Sequence, residues 1–252
     1  MSIPNPLISY QSKAGSLKDK VILITGAGDG IGAAVAKDCA DKGATVILLG
    51  KTVKKLEKVY DEIVAAGCPE PAIYPLNLLE AREEHYQQLG EVIEKEFGKL
   101  DGLIHNAGLL GSLIPLANHS SDQWIQVMQV NLHAPYLITQ ACLPLLKKSD
   151  DASIIFVSSS VGRKGRAYWG AYAASKAACE NLMQTLSDEL EDNTNIRVNS
   201  LNPGATRTAM RRIAFPGEDP NTLPEPEAIV PAFIYLLSYE SKDINGQQLN
   251  AQ

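Results

Sequence analysis

Residues 21–32 read V-I-L-I-T-G-A-G-D-G-I-G, and the order of residue types in this stretch decides the fold. Val21, Ile22, Leu23 and Ile24 form an apolar run bounded by a turn signal, the pattern of a strand buried on both faces. Glycine then recurs at 26, 28, 30 and 32, and A-A-V-A-K-D-C-A continues in a helical pattern. The glycines permit a tight turn and let the backbone approach a pyrophosphate, which would rest on amide groups at the helix N-terminus. An ordinary strand-to-helix turn has a similar composition, so the reading needs a second signal elsewhere in the chain.

Working outward, the same alternation runs through the whole sequence. Strand patterns lie at 21–24, 45–49, 72–76, 102–105, 153–157, 197–201 and 247–250, with helical patterns near 30–42, 52–66, 80–97, 121–147, 171–191 and 226–239. Strands alternating with helices specify an α/β fold, a doubly wound parallel sheet covered on both faces. Its ligands gather at the carboxyl ends of the strands. At 252 residues and 45% hydrophobic content the chain suits a single domain over 17–252. Residues 1–16 read as a loose arm, and the proline-rich stretch 205–226 as a long substrate loop or lid.

Composition narrows the function. A net charge of −6 without a basic tract argues against nucleic acid as a partner. Cys39, Cys68, Cys142 and Cys179 are widely separated, so buried thiols are expected in place of a zinc site or disulfides. The four histidines form no H-x-x-x-H pair, and no metal is expected. The N-terminus lacks a basic region followed by an apolar core, and no apolar span suits a membrane, so a soluble cytoplasmic protein is expected.

The second signal lies at 159–176, S-S-V-G-R-K-G-R-A-Y-W-G-A-Y-A-A-S-K. Tyr172 and Lys176 stand four residues apart, on one face of a helix, where the Lys176 ammonium favours the phenolate form of Tyr172. Such a pair is a general acid/base. A bound oxidised nicotinamide ring, itself positive, would favour the phenolate further. Tyr168 has Tyr172 as its i+4 partner and therefore no charge, which assigns it to packing or the pocket wall. Trp169, Leu109, Leu110 and Met210 are likewise wall or core.

The T-G-x-x-x-G-x-G of 25–32, the H-N-A-G of 105–108, Asn131, Ser159, Tyr172 with Lys176, and Pro203-Gly204 together resemble the short-chain dehydrogenases/reductases. The resemblance covers nearly the whole chain from about residue 17. The segments V-I-L-L-G-K, W-G-A-Y-A-A-S-K and R-T-A-M-R are similar to the bacterial YciK-type branch. It implies a Rossmann-type fold and hydride transfer between a nicotinamide nucleotide and a small-molecule carbonyl or alcohol substrate. Ser159 would hold the substrate oxygen, Tyr172 would protonate it, Lys176 would bind the ribose, and Asn131 would anchor a water relay. The cofactor would lie along Thr25, Gly26, Gly28, Asp29, Gly30, Ile31 and Gly32, then Gly50, Lys51, Asn77 and Leu78. Asn106, Ala107, Gly108, Tyr172, Lys176, Pro203, Gly204, Ala205 and Thr208 would complete its contacts. Relatives form dimers or tetramers through the long helices near 121–147 and 171–191, which implies a homo-oligomer. A non-catalytic nucleotide sensor or scaffold on the same fold is the alternative.

Four details refine these expectations. Gly50 stands where NAD enzymes carry a carboxylate, and Lys51, with Thr52 and Lys54, could hold a 2′-phosphate, so NADP(H) is preferred and NAD(H) possible. Against this, Lys51 can also merely begin a solvated helix, and Asp29 departs from NADP-preferring relatives that carry a basic residue there. Asn77 replaces an aspartate that relatives commonly set against the adenine, but its amide still donates and accepts hydrogen bonds, so adenine binding is expected to survive. Pro135 has no amide hydrogen, so the carbonyl of Asn131 loses its intrahelical donor and becomes free to hold a water, or the kink serves packing alone. Finally, Arg163, Lys164, Arg166, Arg207, Arg211 and Arg212 could make a basic mouth that draws anionic substrates, or could pair with Glu218 and Asp219.

Overall fold

The computed structural model describes Leu7 and residues 10–252. The strands are β1 (Val21–Thr25), β2 (Thr45–Gly50), β3 (Ala72–Pro75), β4 (Gly102–His105), β5 (Ala152–Val157), β6 (Ile196–Asn202) and β7 (Gln248–Asn250). The helices are α1 (Gly30–Asp41), α2 (Val53–Ala65), α3 (Glu83–Phe97), α4 (Ser121–Met128), α5 (Ala134–Leu146), α6 (Ser160–Arg163), α7 (Gly170–Glu191), α8 (Ala209–Ala214) and α9 (Val230–Leu237). Every strand pairing is parallel, in the order β3-β2-β1-β4-β5-β6-β7. The order reverses at β1, which lies between β2 and β4, and a reversal of this kind opens a crevice at the carboxyl ends of the strands.

Side chains alternate across the sheet and fill two cores. Ile22 and Ile24 of β1 and Val46 and Leu48 of β2 pack with Val35, Leu56 and Phe233 on one face. Leu23, Ile47 and Leu49 pack with Leu89, Ile138 and Met183 on the other. Strands covered on both faces read as unbroken apolar runs for this reason. Burying each such side chain stabilises the fold by about 2 kcal/mol.

Three segments depart from the sequence reading. The helix expected over 121–147 is divided into α4 and α5 by a π-helical turn, Gln129–His133, with Pro135 the second residue of α5. The ring at 135 denies Asn131 its usual donor, and the wider turn absorbs the mismatch. The stretch 205–226, expected as a long loop, is not without regular structure. It contains α8, with Thr208 as N-cap accepting from the Arg211 amide at 3.1 Å, and a 3₁₀ turn over Pro220–Thr222. Of the expected loose arm, residues 1–6, 8 and 9 lie outside the described residues. Leu7 is 3% exposed within the core, and the Tyr10 ring packs edge-on against Tyr235 of α9 at 5.1 Å, so these two residues are docked.

Among the described residues, no helix is long and apolar enough to cross a membrane.

Candidate active site

The glycine turn after β1 is shaped by close approach. Gly26 has φ +68°, and a Cβ on it would lie 3.0 Å from Ala107 Cα and Asn106 Nδ2. A Cβ on Gly32 would lie 2.3 Å from the Gly26 carbonyl oxygen, so Gly32 lets α1 pack against the turn without itself reaching the cavity. Thr25 does not reach it either. Its hydroxyl donates to Ile104 O at 3.2 Å and accepts from the Asn106 and Ala107 amides at 3.0 Å, tying β1 to the segment after β4. Thr25 and Gly32 therefore support the walls of the cavity from behind.

Those walls enclose a cavity of about 500 Å³ at the carboxyl ends of the strands. Its glycine-rich end is bordered by Gly26, Gly28, Asp29, Gly30 and Ile31, with Gly50, Lys51, Asn77 and Leu78 beside them. Asn106, Ala107 and Gly108 follow, and Ser159, Tyr172, Lys176, Pro203, Gly204 and Thr208 line the remainder. Of the residues expected at the site, Thr25, Gly32, Asn131 and Ala205 do not border it. The helix N-terminus and the space left by missing side chains fit a dinucleotide pyrophosphate.

Lys55 belongs to the site and was not anticipated. Helix α2 begins at Val53, and Lys55, not Lys54, borders the cavity with Lys51 and Thr52. Its ammonium lies 2.5 Å from the Asp29 carboxylate, which also caps α1 by accepting from the Gly30 amide at 2.8 Å. The hydrogen bond from Lys55 holds the Asp29 carboxyl below the usual carboxylate range. The basic residue expected in the glycine turn is thus supplied from α2, and it offsets the anion that stands in the turn. The i+26 spacing gives no local signal for this pairing.

At the other end, Tyr172 and Lys176 lie on α7 as the spacing predicts. Lys176 is 5% exposed, donates from Nζ to Val157 O at 2.7 Å, and sits 5.7 Å from the centre of the Tyr172 ring. Gly162 makes room for it, since a Cβ there would lie 2.8 Å from Lys176 Cβ. Ser159 has extended backbone at the start of α6, its hydroxyl makes no capping bond, and the residue borders the cavity. Ser158, the first residue after β5, borders it too. Trp169, Leu109, Leu110 and Met210 form the wall as expected, whereas Tyr168 is 59% exposed with φ +73° and lies outside it.

Asn131 acts from behind this end. Its side-chain oxygen accepts from the Leu109 amide at 2.7 Å, and its Nδ2 donates to Leu109 O and Ser175 Oγ, each at 3.0 Å. The backbone carbonyl is released from the helix, as Pro135 requires, but the Cys179 thiol donates to it at 2.9 Å. Burial pushes the thiol pKa up and keeps Cys179 protonated for that bond. One of the two acceptor positions expected to face water is therefore taken by sulfur.

Three of the six cations expected to form a basic mouth are paired with carboxylates. Arg163 bonds to Glu180 at 3.1 Å and Leu249 O at 2.8 Å, Arg207 pairs with Glu225, and Arg211 makes a bidentate pair with Glu218, both contacts at 2.6 Å. Of the six cations, Arg211 alone borders the cavity.

Comparison with known proteins gives a concordant picture. The family model described as short chain dehydrogenase matches residues 20–219. The chain is 49% identical to the uncharacterized oxidoreductase YciK of Escherichia coli strain K12 over 96% of each chain. A structure described as a short chain dehydrogenase from Pseudomonas syringae superposes with a TM-score of 0.95 at 54% identity, covering 97% of this chain and 99% of that one. Another from Shigella flexneri 2a, complexed with NADP, has a TM-score of 0.93 at 48% identity, covering 95% and 100%.

Proposed function

This chain belongs to the short-chain dehydrogenase family, in its YciK-type branch, and from that premise we propose that it is an NADP(H)-preferring carbonyl reductase or alcohol dehydrogenase. The observation that carries the reading is the convergence of Ser159, Tyr172 and Lys176 on one end of a cavity whose other end is a glycine turn at a helix N-terminus. NADP(H), when bound, exchanges a hydride with the substrate carbon. The residues of the chain manage the oxygen. Ser159 donates a hydrogen bond to the carbonyl oxygen, and Tyr172 gives it a proton in reduction and takes one in oxidation. Lys176, fixed by Val157 O, keeps a buried positive charge beside the phenol as the proton moves.

Preference for NADP(H) rests on the chain's own charges. Gly50 presents no carboxylate where one would repel a 2′-phosphate, and Lys51 and Lys55 border the same end of the cavity. The NADP complex of the Shigella flexneri structure supports the same choice. A panel of aldehydes, ketones and alcohols, followed by nicotinamide absorbance with NADPH and NADH, tests the proposal. Nucleotide binding without turnover of any carbonyl or alcohol would favour a sensor on the same fold.

A further inference from the structure

Beyond the phenol of Tyr172 the cavity changes character. Leu110, Trp169, Met210 and Ala214 pack about Tyr172 in an apolar cluster. Phe215 extends that wall, its ring 5.7 Å from Trp169, which is itself 5.8 Å from Tyr172. Aromatic rings arranged in this way offer a substrate large apolar contact at little conformational cost.

Apart from Lys176 beside the phenol, Arg211 is the cation that borders this wall, and the Nε–Nη2 edge with which it could take a carboxylate at two points is engaged. Its Nε and Nη2 donate to the two carboxylate oxygens of Glu218 at 2.6 Å, and its guanidinium carbon lies 3.7 Å from the centre of the Phe215 ring. Exposed Arg166 also approaches Phe215, at 5.6 Å, but does not border the cavity. A carboxylate-bearing substrate would have to displace Glu218 from this two-point pair, or place its charge beside a guanidinium that Glu218 already neutralises and against aromatic and aliphatic carbon. A neutral molecule disturbs neither arrangement.

We propose that the site selects an uncharged carbonyl compound, or the matching alcohol, bearing an aromatic or bulky apolar group. Glu218 is the positioning residue that sets this selection, by holding the Arg211 guanidinium against Phe215 and cancelling its charge. The proposal rests on the carbonyl-reductase reading and adds to it the chemistry of the group attached to the reacting carbon.

The test uses the full chain and two matched probes, phenyl methyl ketone and its para-carboxylate. NADPH-dependent reduction gives kcat/KM for each, and calorimetric titration into the NADP⁺-loaded protein gives affinity independently of turnover. The neutral ketone is expected to be favoured by about tenfold or more in both measurements, the discrimination that one unpaired charge imposes. Glu218→Gln frees Arg211 and should shift the ratio toward the carboxylate by a similar factor, while Glu218→Gln with Arg211→Leu should cancel that gain. A structural defect alone would not raise activity or affinity toward the anion. Equal or better use of the carboxylate by the wild type overturns the proposal, as does an unchanged ratio in Glu218→Gln. Should that variant fail to fold, the wild-type ratio decides. Preferential binding of the neutral ketone without reduction of either probe would support the charge selection while overturning hydride transfer.

Discussion

The Lys55 ammonium and the Asp29 carboxylate meet at 2.5 Å, joining the first turn of α2 to the N-cap of α1 at the glycine-rich end of the cavity. Both side chains are more than half exposed, so the pair adds little to folding and its consequence is electrostatic. Asp29 draws on the charge that a 2′-phosphate would use. Asp29→Asn keeps the helix cap and is expected to tighten NADPH about three- to tenfold, with a smaller change for NADH. Lys55→Ala should weaken NADPH preferentially. Calorimetric titration of both nucleotides into each variant checks this, and equal changes for the two would contradict it.

Gly50→Asp is expected to move preference toward NADH. A Cβ at this position would lie 3.2 Å from Leu56 Cδ2, the flexible end of a side chain that can shift, so the substitution introduces charge with little steric cost. The carboxylate then faces the position of the 2′-phosphate and repels it. The ratio of NADPH to NADH dissociation constants should rise by about tenfold or more relative to wild type. An unchanged ratio would remove β2 from cofactor selection.

His105 is expected to make the fold sensitive to acid. The ring is buried at the end of β4, with Nε2 2.8 Å from Thr139 Oγ1, and desolvation, assisted by the Lys176 charge, pushes its pKa down to about 3 from 6.5. Because the folded pKa is depressed, the unfolded chain binds a proton that the folded chain does not between about pH 3 and pH 6.5. The stabilisation is therefore fully present above pH 6.5 and is lost as pH falls through this window, by up to about 1.4 kcal/mol per pH unit. His105→Gln should flatten urea-unfolding free energies against pH between 4.5 and 7. Parallel profiles for the two proteins would contradict the assignment.

The central strands were legible because they are covered on both faces and so appear as apolar runs between turn signals, whereas the edge strands β3 and β7 are partly exposed and were legible from their place in the alternation of strands and helices. Tyr172 and Lys176 were legible because a helix turns an i, i+4 spacing into proximity. Pro135 revealed that the Asn131 carbonyl leaves the helix, but not that Cys179, 48 residues later, donates to it. The pairs Lys55 with Asp29 and Arg211 with Glu218 depend on how separate segments come together, which spacing alone does not encode. The prolines of 205–226 suggested irregular chain, although Thr208 carried the N-cap signal for α8.

Asn131→Ala removes the three side-chain hydrogen bonds that hold Leu109 and Ser175. Leaving these groups unpaired in the interior should destabilise the protein by about 2–3 kcal/mol. It should also raise KM, because Leu109 belongs to the cavity wall. Urea unfolding and steady-state kinetics measure the two effects. Wild-type stability and KM in this variant would contradict the anchoring role.

Tyr172→Phe tests the central claim most directly. The substitution deletes one hydroxyl from a residue that is 9% exposed and otherwise packed against Trp169 and Val161, so fold and cavity should persist. With a carbonyl substrate that the wild type reduces, the account predicts that kcat falls by a thousandfold or more, on the order of what a positioned proton donor contributes. NADPH affinity measured by calorimetry should stay within a few fold of wild type. Near-wild-type turnover in Tyr172→Phe would contradict the assignment of Tyr172 as the group that moves the proton.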